Sequence, residues 1–93
     1  MEIGTSIKTI RKRKGISQKE LADQCGISTN ALCQIELNNT LPQKSTIKII
    51  CEKLGVPISY ILYFSLTEED VPEGKRKMFN SLNNLMKDVL FEG

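Results

Sequence analysis

The sequence predicts an all-α fold: five short helices, with an amphipathic sixth helix toward the C-terminal end. Three observations carry this. Two helical patterns lie between Ser17 and Leu37, each with its own start signal, on either side of a break at Gly26. Apolar residues elsewhere recur at helical spacing rather than alternating. Gly15, Gly26 and Gly55 stand where successive helical stripes stop, and glycine suits the left-handed turn that ends a helix. A chain of 93 residues suits one small domain with a single core.

Helix one is expected from Ile3 to Lys14, with Ile3, Ile7 and Ile10 as its inward stripe. Arg11, Lys12, Arg13 and Lys14 crowd its C-terminal end, where cations suit the helix dipole. Helix two opens at Ser17, because Ser17-Gln18-Lys19-Glu20 is a Ser-x-x-Glu capping box and Ile16 can act as its hydrophobic staple. Helix three is expected from Thr29 to Leu37 with Ser28 as N-cap. Leu21, Cys25, Ile27, Leu32 and Ile35 are the apolar positions of this pair. Ala22 stands where a larger side chain would block a close helix crossing. Helix four runs from Lys44 or Ser45 to Leu54, with Ile47, Ile50, Cys51 and Leu54 on one face. Pro57 suits the first turn of helix five, expected to reach Tyr63, with Ile58, Ile61 and Leu62 closing the core.

Composition narrows the function. No apolar run resembles a signal peptide or a membrane span, so a cytoplasmic protein is expected. Net charge is only +2, but it is unevenly spread. Residues 1–66 hold nine basic and five acidic side chains, and residues 67–93 hold four and six. The basic excess therefore accompanies the five-helix part, a moderate electrostatic footprint for nucleic acid. The three cysteines form no C-x-x-C pair and histidine is absent, so no metal and no cofactor are expected. Cys25 and Cys51 read as small buried side chains. No phosphate loop and no catalytic constellation stand out, which argues against an enzyme.

A small residue at Ala22, Gly26 four positions on, and a hydrophobe immediately after it form a specific pattern. It resembles the helix-turn-helix of phage-repressor-like (Cro/repressor-type, xenobiotic response element family) transcriptional regulators. The spacing of Pro42, Ile47, Ile50, Leu54-Gly55-Val56 and Ile61-Leu62 is similar as well, so the resemblance covers roughly Ile3 to Leu66. It implies a five-helix DNA-binding domain over residues 1–66, with helices two and three as the motif and helix three in the major groove of double-stranded DNA.

Leu32 and Ile35 face the core, which leaves Thr29, Asn30, Cys33 and Gln34 on other faces of helix three. The amides and hydroxyl among them match base edges: Asn and Gln can meet adenine bidentately, and a Thr methyl can meet that of thymine. The resemblance carries base reading onto Thr29, Asn30 and Gln34, with Cys33 on the same face. It implies phosphate contacts at Gln18 and Ser28 and in the loop from Asn38. Where the family usually has glycine this chain has Asn38, which tolerates the left-handed conformation, and the base expected next is replaced by Asn39. Lys44 can restore part of the missing charge. The resemblance also implies an ion pair between Arg11 and Glu36.

Residues 67–93 lie beyond the resemblance. After the acidic stretch Thr67 to Glu73, Met78, Phe79, Leu82, Leu85, Met86, Val89 and Leu90 form a sustained apolar stripe. At about 1.5–3 kcal/mol each, leaving seven large side chains in water forfeits on the order of ten kcal/mol. The stripe can fold back on its own domain, or pair with a second copy, joined by Tyr60, Tyr63 and Phe64. Two half-sites strengthen DNA binding, so the functional reading is a homodimer on a pseudo-palindromic operator. The alternative is an antitoxin-like interaction protein whose C-terminal helix binds a different protein.

Overall fold

The computed structural model describes residues 2–89, which form six α-helices and two single 3-10 turns. They are α1 (Ile3–Arg13), α2 (Gln18–Cys25), α3 (Thr29–Glu36), α4 (Lys44–Leu54), α5 (Ile58–Phe64) and α6 (Arg76–Lys87), with the 3-10 turns at Glu68–Asp70 and Glu73–Lys75 before α6. Among the described residues no helix is long and apolar enough to cross a membrane.

The local signals place the motif. Glu20 N donates to Ser17 Oγ at 3.0 Å and Ser17 N donates to Glu20 Oε1 at 3.2 Å, completing the capping box. The bond from the Ser17 side chain, with its backbone bond, holds the Glu20 carboxyl below its ordinary range. A depressed carboxylate stabilises the fold above the ordinary range, and that contribution fades as pH falls through the depressed value. Gly26 ends α2 at a φ of 71°, and Ile27 N reaches back to Ala22 O at 3.1 Å. This closure points Ile27 at the core and starts α3 at a fixed angle.

α1 packs on α3 and α5, α2 on α3 and α4, and α4 on α5. Ile7, Ile10, Leu21, Ala22, Leu32, Ile50 and Ile61 at the centre are fully buried. The N-terminal end is tied to α5 twice. Glu2 N donates to Ser65 O at 2.7 Å, and the buried Ser6 Oγ donates to Ile61 O at 2.9 Å. Of the two cysteines expected to be buried, Cys51 is and Cys25 is half-buried, and desolvation raises both thiols above their ordinary value.

Two expectations need correction. Pro57 is the N-cap of α5 rather than part of its first turn. Ile58 and Leu62 do not close the core: Ile61 alone is buried, and Tyr60 and Phe64 lean on it instead. Tyr60 and Phe64 lie one helical turn apart, partly buried against the core, and their rings meet edge-on at 5.8 Å. Ile58 and Leu62 share the outer side of the same turn.

The C-terminal stripe splits. α6 rests on the two 3-10 turns, fastened by Arg76 Nε donating to Val71 O at 3.2 Å and by Asn80 Nδ2 donating to Glu68 Oε1. Met86 lines a shallow apolar hollow with Ser59, Tyr60, Tyr63 and Phe64, and Phe79 is half-buried. Met78, Leu82, Leu85 and Val89 form a separate row, each at least half exposed. Leu90 lies outside the described residues.

Candidate nucleic-acid interface

α3 is anchored from beneath and held at its far end by charge. Leu32 and Ile35 are buried, while Thr29 and Asn30 are exposed and Cys33 and Gln34 half-buried on other faces. Ser28 caps the helix, its Oγ accepting from Ala31 N at 3.0 Å.

Glu36, the last residue of α3, is buried against Arg11 of α1. Arg11 Nε donates to Glu36 Oε2 at 2.7 Å and Nη2 to Oε1 at 3.0 Å, a bidentate pair whose side chains are 8% and 2% exposed. Arg11 Nη1 donates to Ile16 O at 2.9 Å. Gln18 Nε2 donates to the same Glu36 Oε1 at 3.1 Å. One carboxylate therefore ties together α1, α2 and α3, and the group is fully satisfied: no described buried side-chain nitrogen or oxygen lacks a partner. Gln18, expected at a phosphate, is thus held by its amide beside α3 with one N–H still free to donate.

A second tie joins α1 and α3 where the sequence shows little. Asn38 takes the left-handed conformation at a φ of 62°. Its Oδ1 accepts from Gly4 N at 2.9 Å and its Nδ2 donates to Thr5 Oγ1 at 2.9 Å. Asn38 thereby supplies the cap that α1 lacks from its own N-terminal residue. The crossing is tight: a Cβ on Gly4 would lie 1.8 Å from Ile35 O. The Asn38 side chain stays exposed while it bridges to α1. The signal for this tie was a glycine in the first turn of an otherwise well-formed helix, an unfavourable choice unless another backbone comes close.

Beyond Asn38 the chain doubles back on the end of α3. Asn39 Nδ2 donates to Gln34 Oε1 at 3.0 Å. Lys44 begins α4 and is exposed.

The helix-turn-helix family matches residues 7–61, from within α1 to the middle of α5. This chain belongs to that family of phage-repressor-like transcriptional regulators. Similar proteins include the transcriptional regulator SinR of Bacillus licheniformis, 32% identical over 91 residues, spanning 98% of this chain and 79% of SinR. The immunity repressor protein of Bacillus phage phi105 is 29% identical over 90 residues, spanning 96% of this chain and 62% of the repressor. The crystal structure of the clp gene regulator ClgR from Corynebacterium glutamicum superposes with a TM-score of 0.68 at 19% identity, covering 92% of this chain and 84% of that one. That last likeness concerns the fold. As a member of the family, this helix-turn-helix regulator is a DNA-binding protein and not an enzyme.

Proposed function

We propose that this regulator is a sequence-specific repressor or autoregulator that binds a pseudo-palindromic operator as a homodimer, with α3 in the major groove. The observation that carries this is the two-sided build of α3, with Leu32 and Ile35 locked beneath and Thr29 and Asn30 presented outward. Thr29, Asn30, Cys33 and Gln34 are the base-reading set. Gln18, Ser28 and Lys44 are the phosphate set. Asn38, exposed in the loop after α3 while its side chain bridges to α1, belongs with them. Asn30→Ala is expected to relax base preference with little change in nonspecific affinity. Lys44→Ala is expected to weaken binding to all sequences and make the salt slope shallower by about one, measured by titrations at several salt concentrations. Footprinting on DNA flanking the protein's own gene tests the whole reading, with protected half-sites about 10 base pairs apart, or a multiple, expected.

The homodimer rests on the exposed row Met78, Leu82 and Leu85 of α6, continued by Val89 just past its end. Tyr60, Phe64, Phe79 and Met86 are turned partly toward their own chain and contribute less to that surface than the row itself. Light scattering at low micromolar concentration is expected to give twice the chain mass. The double substitution Leu82→Asp with Leu85→Asp is expected to halve it. Co-purification of an unrelated protein through α6, with a monomeric mass for the free chain, would favour the antitoxin-like alternative. A cytoplasmic location belongs to the same proposal.

A further inference from the structure

The exposed row of α6 carries a register as well as an apolar surface. Met78, Leu82, Leu85 and Val89 follow one another at intervals of four, three and four residues. That spacing is the seam of a two-helix coiled coil, where apolar residues recur on average about every 3.5 positions. Met78 and Leu85 then hold d positions, and Leu82 and Val89 hold a positions. Asp88 caps α6 with a helical backbone, so the row carries on to Val89.

The residues beside a seam decide which way a second helix lies on it. The two flanks of this seam differ. On one side stand Phe79 and Met86, both e positions and both apolar, the first half-buried and the second exposed. On the other stand Ser81 and Asp88 at g positions, with Lys77 beside them at c, and all three are exposed.

In a parallel pair each flank meets the opposite flank of the partner. Phe79 then faces the partner's Gly74, Met86 faces the partner's Ser81, and the nearest charge to Lys77 is the partner's Arg76. In an antiparallel pair like flanks meet. With Leu82 level with the partner's Leu85, and Met78 with the partner's Val89, Phe79 falls against the partner's Met86. Lys77 then lies beside the partner's Asp88, and two-fold symmetry forms that pair twice. The antiparallel arrangement widens the apolar contact and sets unlike charges together, whereas the parallel one does neither.

We propose that two copies of α6 pair antiparallel, with Phe79 against the partner's Met86 on one flank and Lys77 with the partner's Asp88 on the other. This rests on the homodimer reading and adds its geometry. The two-fold axis runs across α6, and the starts of the two helices at Arg76 stand about 22 Å apart along the pair instead of side by side. Exposed ion pairs are individually weak, so they choose the orientation while the apolar row supplies the affinity.

Disulfide trapping in the full chain tests the arrangement. Met78→Cys and Val89→Cys are oxidised mildly, each alone and as a mixture allowed to exchange subunits, and wild type measures the background from Cys25, Cys33 and Cys51. Antiparallel pairing is expected to give cross-linked dimer above that background only in the mixture. Within either variant alone the two new thiols lie about 17 Å apart along the pair, too far for a disulfide. Cross-linking of either variant alone, or a dimer that cross-links in no sample, overturns the antiparallel seam and leaves the homodimer standing. A monomeric mass for the wild type at low micromolar concentration overturns the homodimer beneath it.

Charge exchange supplies a second measurement, made without DNA. Lys77→Glu is expected to raise the dimer dissociation constant on the order of fivefold, and adding Asp88→Lys is expected to restore it. Tighter dimerisation of Lys77→Glu, as opposition to the partner's Arg76 would produce, is the parallel result and overturns the proposal.

Discussion

Replacing Arg11 with alanine is expected to lower the stability of the free protein by about 3–5 kcal/mol, because Glu36 is left charged and buried without its partner. In a chain of this size that is a fall in Tm upwards of about 12 °C, read by thermal melting without DNA. The magnitude separates this pair from ordinary surface pairs, which contribute about 0–1 kcal/mol. The Arg11 and Glu36 side chains are 8% and 2% exposed, so solvent does little to replace the lost contact. Gln18 cannot compensate, since its single neutral N–H bond to Glu36 Oε1 leaves Oε2 without a donor. Removing both charges together, as Arg11→Met with Glu36→Met, is expected to cost less than Arg11→Ala alone, because no unpaired charge remains. An unchanged melting curve for Arg11→Ala would demote the pair to a surface contact.

Gly4→Ala is the second large effect. In isolation the change favours a helix by about 1 kcal/mol. Here the new methyl would meet Ile35 O at 1.8 Å and Asn38 Oδ1 at 2.7 Å. The first is backbone and cannot swing aside, so α1 must move away from the end of α3. Overpacking of this kind costs about 1–3 kcal/mol and occasionally more, which outweighs the gain in propensity. Thermal melting is expected to show a net loss of stability, accompanied by weaker operator binding because the displaced end of α3 carries Gln34. Gly74→Ala supplies the control. Nothing lies within 4 Å of its added methyl, so melting is expected to change little.

The signals legible in the sequence were those that act within a few residues. Ser17 with Glu20, Ser28, Gly26 and Gly55 each fix a helix end through bonds to their own neighbourhood, and each does so in the structure. The periodic stripes of α1 and α4 likewise bury Ile7, Ile10, Ile47, Ile50 and Leu54. Arg11 with Glu36 is 25 residues apart and was legible only through the family resemblance. What stayed hidden depends on how helices meet. Asn38 with Gly4, and Gln18 with Glu36, join segments whose proximity no local pattern announces. In α5 nearly every side chain is apolar, so periodicity alone did not choose between the Ile58–Leu62 side and the Tyr60–Phe64 side. In α6 the apolar arc is wider than the surface that receives it, which leaves one row covered in part and the other in water.

Methylation interference on the operator found by footprinting tests the central claim most directly, because dimethyl sulfate marks N7 of guanine in the major groove and N3 of adenine in the minor groove. Interference is predicted at guanine N7 within two half-sites about 10 base pairs apart, or a multiple, and absent at adenine N3 between them. Interference confined to adenine N3 would contradict a helix that lays Thr29, Asn30 and Gln34 against the major-groove edges.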